Sequence, residues 1–372
     1  MLPDQCAPFP ADRGIVGQRR GRVTNRETTG LVQTVLGPVQ PEALGPTLTH
    51  EHLLIDFLCM FDPPDDPDER SRAFQPLTLE NLGWVRYGPF RNRDNLLRLD
   101  EESAISEVAR YQQAGGETIV DVTTIGIGRN PAALERIAQA TGLHIVMGAG
   151  YYTDAVHPSG MIDRTEDELA QVMIADLTTG VGDTGVRAGI IGELGCSWPL
   201  TPNERKVLRA GALAQQETGA AITIHPGRDE TAPREILDVL AEAGADLGRV
   251  IMGHLDRTIA TPDTLLALAA SGCYLEYDLF GWEISYYPLS ALDMPNDAQR
   301  IAFVRQLIEA GHGSRILLAH DIFGKHAMTK YGGYGYTHIL QNIVPRFREQ
   351  GIGEDTIQSM LVANPARILA WT

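Results

Sequence analysis

The chain has 372 residues, of which 43% are hydrophobic and 21% are charged, and its formal net charge is −17 at pH 7. This size and composition are typical of one large α/β domain or two ordinary ones in a globular protein. The acidic balance argues against nucleic acid and anionic membranes as partners, because both require clustered Lys and Arg. The four cysteines lack CxxC spacing and no apolar run reaches the ~20 residues of a membrane span, so a cytoplasmic location is expected.

The first segment, residues 1–30, is rich in Pro, Gly and Arg and has no hydrophobic period. This composition predicts an N-terminal extension that is mobile or draped on the surface. The remainder, residues 31–372, alternates β-branched apolar runs with helical patterns, which is typical of a single domain with a parallel sheet and crossover helices. Strands are predicted at residues 46–56, 117–123, 144–152, 186–195, 220–226, 249–256, 273–278 and 315–322. Helices are predicted at residues 101–113, 131–140, 166–177, 202–217, 233–243, 262–270, 296–310 and 354–360.

Strand and helix alternation predicts a closed (β/α)8 barrel, the TIM barrel, in which each strand is followed by a helix. An open doubly wound sheet is the alternative. Three long segments interrupt the pattern, at residues 57–99, 279–295 and 323–344. The second of them is rich in aromatic residues and predicts a pocket wall, because long loops in compact domains often carry function.

Polar residues at the ends of the predicted strands indicate chemistry. His50 and His52 form a His-x-His pair at the first strand, and side chains two positions apart on a strand point to the same side. Four more candidate ligands follow at later strand ends, namely Glu193, His225, His254 and Asp321. Barrel enzymes place their active sites at this end of the strands. Any one of the six alone is compatible with a hydrogen-bonded core residue, but together they predict a metal centre.

Four imidazoles and two carboxylates suit two divalent ions, with zinc expected and manganese or cobalt as alternatives. Glu193 is the carboxylate best placed to bridge them. Two such ions would hold a bridging water and lower its pKa toward ~7, which supplies hydroxide at neutral pH. Asp321 is predicted to bind one ion and to act as the general base for that water.

These motifs, in this order, resemble the phosphotriesterase family of the amidohydrolase superfamily over roughly residues 31–372. The matching segments are residues 34–38, 48–53, 191–197, 224–226, 252–256 and 319–322. The resemblance implies a binuclear centre in which His50, His52 and Asp321 hold the more buried ion, and His225 and His254 hold the other. Phosphotriesterases proper have a carboxylated lysine as the bridge. The glutamate here, with residues 325–326 and 331–336, resembles instead the phosphotriesterase-related protein branch.

The resemblance also implies a reaction. Animal members of this branch are associated with hydrolysis of N-acetyltaurine and related N-acyl amino acids, so an N-acyl amide is the favoured substrate. Leu279 stands where phosphotriesterases have a histidine proton shuttle, which disfavours organophosphates. Lactones, carboxylic esters and phosphoesters, phosphotriesters included, are the alternatives. A single-metal deaminase and a metal-bound binding protein without turnover are further alternatives, and the family resemblance implies a homodimer.

Six residues are predicted to contact this small-molecule substrate. They are Tyr152, Arg257, Asp278, Trp282, Glu283 and Lys325. The cations of Arg257 and Lys325 suit a substrate carboxylate or sulfonate, and the phenol of Tyr152 suits an oxyanion. A purely structural role is the alternative for each. His320 is expected to point away from the cavity, since it alternates with Asp321 along the chain.

Overall fold

The computed structural model describes residues 28–372, so the predicted extension at residues 1–30 lies almost wholly outside the described residues. The strands are β1 Val32–Thr34, β2 Gly37–Val39, β3 Thr47–Glu51, β4 Ile55–Asp56, β5 Leu97–Arg98, β6 Thr118–Asp121, β7 His144–Ala149, β8 Ile190–Gly195, β9 Ile222–His225, β10 Val250–Met252, β11 Tyr274–Tyr277 and β12 Ile316–Leu318. The α-helices are α1 Pro67–Arg72, α2 Leu82–Tyr87, α3 Glu101–Gln113, α4 Pro131–Thr141, α5 Glu166–Thr178, α6 Pro202–Thr218, α7 Ala232–Glu242, α8 Leu255–Thr258, α9 Pro262–Ala269, α10 Asp297–Glu309, α11 Val344–Glu349, α12 Glu354–Gln358 and α13 Asn364–Leu369. None of the helices in this described part is long and apolar enough to cross a lipid bilayer.

Eight parallel strands form a nearly closed barrel, in the order β3, β6, β7, β8, β9, β10, β11, β12. The first and last of them meet where Asp321 N donates to His50 O at 3.2 Å and Thr49 Oγ1 donates to Leu318 O at 3.4 Å. An open doubly wound sheet would leave these two strands apart at opposite edges. The predicted (β/α)8 barrel is therefore confirmed.

Apolar side chains fill both faces of the barrel wall. Every residue of the eight barrel strands is buried except His144, as expected for parallel strands that are covered on two sides. Alternate residues divide between two clusters. Val120, Val146 and Ile251 belong to the cluster inside the barrel, whereas their neighbours, such as Ile145 and Met252, pack toward the helices.

Trp371 lies at the amino-terminal end of the barrel, together with the β1–β2 hairpin. Its indole Nε1 donates to Gly189 O, directly before β8, at 2.8 Å. Its backbone exchanges hydrogen bonds with Gly30 and Leu31 at 2.8 and 3.0 Å. Val32 of the hairpin belongs to the same apolar cluster as the barrel interior. This end of the barrel is thus sealed by apolar packing and backbone hydrogen bonds.

The predicted helices agree with α3–α7, α9, α10 and α12 to within two residues at each end. The strands are shorter than predicted. The predicted strand at residues 249–256 ends at Met252, and the remaining residues turn through His254, with φ of 52°, into α8. The segment at residues 57–99, predicted as a loop, contains α1 and α2. Sequence periods do not resolve helices this short, because six residues complete fewer than two turns.

A buried polar network fixes the loop that follows β11. Arg300 on α10 donates to Asp256 Oδ1 at 2.6 Å and to Trp282 O at 2.9 Å. Asp297 accepts hydrogen bonds from Arg300 Nη1 at 3.0 Å and from His338 Nε2 at 2.7 Å. The loop carrying Trp282 is therefore tied to α10 and, through Asp256, to the carboxyl end of the barrel.

Asp297 makes this network sensitive to acid. Burial raises the pKa of Asp297, but hydrogen bonds from His338 and Gly281 and the charge of Arg300 outweigh burial and hold that pKa below its usual value. A carboxylate with a lower pKa in the folded protein than in the unfolded chain stabilises the fold. This stabilisation is complete above the pKa of the unfolded chain, about 4, and is lost as the pH falls below that value. We expect Asp297→Asn to be about 2 kcal/mol less stable at neutral pH and to lose less stability than the wild type on acidification.

Melting temperatures recorded between about pH 6 and about pH 3 test this expectation. Metal ligands are protonated in acid in both proteins, so the difference between the two pH profiles isolates Asp297. Asp183→Asn, at an exposed carboxylate, is the matched control and should follow the wild-type profile. Parallel profiles for Asp297→Asn and the wild type would contradict the assignment.

Candidate metal centre

All six predicted metal ligands meet at the carboxyl end of the barrel. His50, Glu193 and His225 lie on β3, β8 and β9, and the other three lie one to three residues beyond strand ends. Five of the six are buried, and Asp321 is partly exposed. His254 and Asp321 adopt φ of 52° and 50°, in the left-handed region that non-glycine residues rarely occupy. Backbone strain of this kind clusters at functional sites.

Glu193 occupies the centre of this group. Its Oε2 lies 3.0 Å from His225 Nδ1 and 3.3 Å from His50 Nε2. The same oxygen lies 3.5 Å from His254 Nε2. Its Oε1 faces His52 Nε2 at 3.4 Å, and that nitrogen also lies 3.2 Å from Asp321 Oδ1. The two oxygens of one carboxylate thus face different ligands, which is the arrangement that a bridging carboxylate requires.

Each imidazole has a polar partner on its outer nitrogen. The pairs are His50 Nδ1 with Glu276 Oε2 at 3.1 Å, His52 Nδ1 with Thr123 Oγ1 at 2.9 Å, His254 Nδ1 with Asp278 Oδ1 at 2.9 Å and His225 Nε2 with Arg257 Nη2 at 3.0 Å. Such partners fix the orientation of metal-binding histidines and select which nitrogen faces the metal. In all four rings the other nitrogen faces Glu193.

The residues fit divalent cations. His50 Nε2 is buried and makes no hydrogen bond within the described chain, a cost of about 1–3 kcal/mol for a polar atom that finds no partner. Ligand atoms of His50, His52 and Asp321 lie within 4.8 Å of one another, and so do those of His50, Glu193 and His254. Imidazole nitrogens and carboxylate oxygens suit zinc, manganese and similar ions.

The protonation states also suit metal binding. Burial raises the pKa of Glu193, but the charges of His225 and His50 hold that pKa well below its usual value. Burial, with the charges of His254 and Arg257, lowers the pKa of His225 well below its usual value. Glu193 is thus ionised, the form in which a carboxylate binds metal ions.

Glu276 is a functional residue that sequence reasoning missed. It lies fully buried on β11, and both Glu276 Oε2 and Asp278 Oδ2 approach His50 Nδ1, at 3.1 and 3.4 Å. A signal existed in the sequence, since Glu276 interrupts an apolar strand two positions before Asp278. A carboxylate in such a strand must be paired.

We expect Glu276→Gln to weaken metal binding by about 10–100-fold, the usual effect of losing a partner that orients a ligand. Burial lowers the pKa of His50, whereas the carboxylates of Asp278, Glu193 and Glu276 together raise it well above its usual value. Glu276→Gln replaces the anionic partner that orients the His50 ring, so His50 becomes a poorer ligand. Competition with a chromophoric chelator measures the affinity. Glu107→Gln, at another buried glutamate, is the control, and equal affinities in both variants would contradict the role of Glu276.

A narrow cavity of about 20 Å³ lies directly over the centre, and Glu193, His225 and Asp321 form part of its wall. A neighbouring cavity of about 300 Å³ shares Asp321, Trp282 and Phe323 with it. Trp282 and Phe323 therefore lie between the two spaces. Aromatic side chains close the narrow cavity on this side.

The long segment after β3 contributes to the same wall. Phe90 stacks on Phe323 with ring centroids 5.5 Å apart, and Phe57 packs edge-on against Tyr152 at 5.9 Å. Both Phe57 and Phe90 line the narrow cavity. The sequence left the role of residues 57–99 open, and the structure places part of this segment over the candidate centre.

Three of the predicted substrate contacts line the narrow cavity, namely Tyr152, Arg257 and Trp282. The Tyr152 hydroxyl lies 3.3 Å from His225 Nδ1. Burial, with the nearby charge of Glu193, raises the pKa of Tyr152 well above its usual value. The phenol therefore stays protonated and can donate a hydrogen bond.

The structure does not bring the other three predicted contacts to this cavity. Asp278 is fully buried behind His254, because it pairs with the outer nitrogen of that ring. Glu283 accepts from the first backbone N–H of α10 at 3.0 Å and lines only the larger cavity. Lys325 Nζ pairs with Asp94 Oδ1 at 2.6 Å, outside both cavities.

His320, predicted to point away from the cavity, does not line the narrow cavity over the centre but does line the larger one. Its Nδ1 lies 2.7 Å from Glu51 Oε1, and its Nε2 accepts from the backbone N–H of Ile339 at 3.1 Å. Glu51 therefore anchors the backbone next to Asp321.

Comparisons with known proteins agree with this geometry. The sequence model of the Phosphotriesterase family matches residues 30–369. The chain is 47% identical over 342 residues to a phosphotriesterase-related protein of Nematostella vectensis, covering 91% of this chain and 98% of that one. It is 46% identical over 345 residues to the N-acetyltaurine hydrolase of Homo sapiens, covering 92% of this chain and 99% of the other. A crystal structure of a resiniferatoxin-binding protein from Rhodobacter sphaeroides superposes with a TM-score of 0.88 at 36% identity, covering 91% of this chain and 95% of that chain.

Proposed function

The chain belongs to the phosphotriesterase family, and from this membership we propose that it is a binuclear metal-dependent hydrolase that cleaves a small N-acyl amide of the N-acetyltaurine type. A relative that is 46% identical over almost its whole length is an N-acetyltaurine hydrolase. The observation that carries the proposal is the arrangement of five candidate ligands around a sixth, Glu193, at the wall of a narrow cavity. Zinc is the proposed metal, with manganese or cobalt as alternatives.

The ligands divide into two sets around the shared carboxylate of Glu193. His50, His52 and Asp321 would hold one ion, and His225 and His254 would hold the other. Bound divalent ions polarise a carbonyl and lower the pKa of water toward ~7. The residues of the chain must therefore bind the amide, accept the proton of the attacking water and protonate the leaving amine.

Asp321 is the proposed proton acceptor, because it is the partly exposed member of the ligand set and lies in the cavity wall. It takes a proton from the attacking water and returns it to the amine nitrogen as the C–N bond breaks. Tyr152, protonated and buried beside His225, donates a hydrogen bond to the carbonyl oxygen as negative charge develops. Trp282 and Phe323 exclude bulk water from the centre.

Lactone or carboxylic ester hydrolysis is the second candidate, because the same centre polarises any carbonyl. Phosphotriester hydrolysis ranks below both. Leu279 is buried in the wall of the cavity, and an alkyl side chain offers no route for a proton at that position.

Metal analysis and a substrate panel test the proposal together. Protein purified without chelator should contain two metal equivalents and should cleave N-acetyltaurine or an N-acetyl amino acid faster than a γ-lactone, a phenyl ester or a phosphotriester. One equivalent would favour a single-metal deaminase. Turnover of the lactone alone would overturn the amide assignment. Two equivalents without any turnover would indicate a metal-bound binding protein.

A further inference from the structure

Two arginines line the narrow cavity over the metal centre, Arg228 and Arg257. Within residues 28–372, no carboxylate lies within ion-pair distance of either guanidinium. Arg257 is buried and Arg228 is partly buried, and a cation removed from water without a counter-charge is costly. Bound metal ions would add further positive charge to the same space. The two carboxylates of the cavity wall, Glu193 and Asp321, are proposed metal ligands, so neither guanidinium has a carboxylate partner of its own within the described residues.

Arg257 is already engaged by the centre. Its Nη2 lies 3.0 Å from His225 Nε2 and donates to Pro226 O at 3.1 Å. These contacts hold the His225 ring with Nδ1 toward Glu193. Arg257 is thus a positioning residue for a ligand, and its guanidinium has little freedom to follow a substrate.

Arg228 is held differently. Its Nε donates to Tyr287 Oη at 2.7 Å, and its guanidinium carbon lies 5.9 Å from the centre of the Tyr287 ring. In the part of the chain that the structure describes, its two terminal nitrogens make no hydrogen bond. The hydrogen bond to Tyr287 thus fixes the Arg228 side chain at Nε and leaves both of its terminal nitrogens available to donate to a ligand. A fork of this shape matches two oxygens of one carboxylate or sulfonate.

We propose that Arg228, oriented by Tyr287, binds an anionic group on the amine half of the substrate, so that the enzyme selects N-acyl amides of amino carboxylic or amino sulfonic acids. The inference rests on the proposed function, since it assumes that the cavity holds an amide. It adds the residue that would select this class of substrate by its anionic group. A carboxylate and a sulfonate can each offer two oxygens to the guanidinium. The experiment therefore uses one substrate with each anion and compares their kinetics.

The test compares a charged amide with a neutral amide of the same shape. N-acetyltaurine and N-acetyl-β-alanine carry the two anions, and N-[2-(methylsulfonyl)ethyl]acetamide replaces the sulfonate by an uncharged sulfone. Arg228→Gln should lower kcat/KM for both charged amides by about 100-fold, mainly through KM, because two charge-assisted hydrogen bonds are lost. The sulfone, whose oxygens accept only neutral-acceptor hydrogen bonds, should lose no more than a few-fold in the same variant. Arg228→Lys, which keeps the charge and loses the fork, should lose about 10-fold on the charged amides.

Two further variants control the comparison. Tyr287→Phe should raise KM for the charged amides several-fold and KM for the sulfone by less, because it removes the hydrogen bond that orients the guanidinium of Arg228. Arg234→Gln, at an arginine that pairs with Asp238 on the exposed face of α7, should behave as the wild type. Metal content and melting temperature of each variant establish that the centre is intact.

The outcomes separate this inference from the proposed function. An equal loss on charged and neutral amides by Arg228→Gln would overturn the inference, since the arginine would then act on the centre itself. If the wild type cleaves none of the amides, the proposed function fails, and calorimetric titration of the metal-loaded protein with N-acetyltaurine still tests Arg228. Binding that disappears in Arg228→Gln would support the anion site, and binding that is unchanged would overturn it.

Discussion

The Glu193→Ala variant is expected to hold at most one metal equivalent per chain and to lose at least about 10³-fold in kcat/KM. The carboxylate of Glu193 is the only group of the site that approaches all four ligand histidines, at 3.0–3.5 Å. Without it the two ligand sets have no shared anion, and two adjacent cations repel each other. A metal ion contributes several kcal/mol of charge stabilisation to the transition state, and about 4 kcal/mol corresponds to 10³-fold.

Metal content after dialysis, measured by emission spectrometry, and amide hydrolysis should fall together in this variant. Glu193→Gln keeps the shape of the side chain without its charge, and should resemble the alanine variant in metal content. Glu349→Ala, at an exposed glutamate, is the control for loss of a carboxylate. Two tightly held metals in Glu193→Ala would contradict the bridging role and leave Glu193 as a hydrogen-bond partner of His225.

The second large effect is expected at Asp321. Replacement by Asn keeps an oxygen for the metal and removes the proton acceptor, so kcat for an N-acyl amide should fall by about 10²–10⁴-fold while metal content stays near that of the wild type. The defect should be smaller for a phenyl ester, because a phenolate leaves without a proton. Asp183→Asn is the matched control.

Kinetics on both substrates distinguish the two roles of Asp321. Equal losses on amide and ester would indicate that Asp321 acts only on the attacking water or on the metal. A variant with wild-type kcat would show that another group accepts the proton. If Asp321→Asn loses metal but keeps the wild-type activity per bound metal ion, Asp321 acts only as a metal ligand.

Much of this site could be predicted from the sequence, because its ligands follow strands that are themselves easy to recognise. Apolar β-branched runs indicate strands, parallel strands end at one rim, and polar residues at those ends must meet there. That reasoning placed His50 and His225 correctly without any knowledge of side-chain contacts. It placed His254 correctly too, although the strand ends two residues earlier and the chain turns through a left-handed φ.

The partners of these side chains could not be predicted, because pairing across a barrel depends on tertiary register. Lys325 looked like an anion anchor, yet it pairs with Asp94, which is 231 positions away in the sequence. Arg257, a predicted substrate contact, lines the cavity, and its contact with the ring of His225 was not predicted. No local pattern distinguishes an arginine that orients a ligand from one whose terminal nitrogens are open to a cavity. The same limit concealed Arg228.

The seal formed by Trp371 and the β1–β2 hairpin lies at the opposite end of the barrel from the cavity. The side chains that seal the amino-terminal end of the barrel do not line the cavity. The loops that line the cavity do not contact that seal. Loops such as the one after β11 can therefore be replaced to change the substrate without altering the packing at the amino-terminal end of the barrel. A fusion partner joined directly after Trp371, by contrast, would strain the part of the protein on which every such redesign depends.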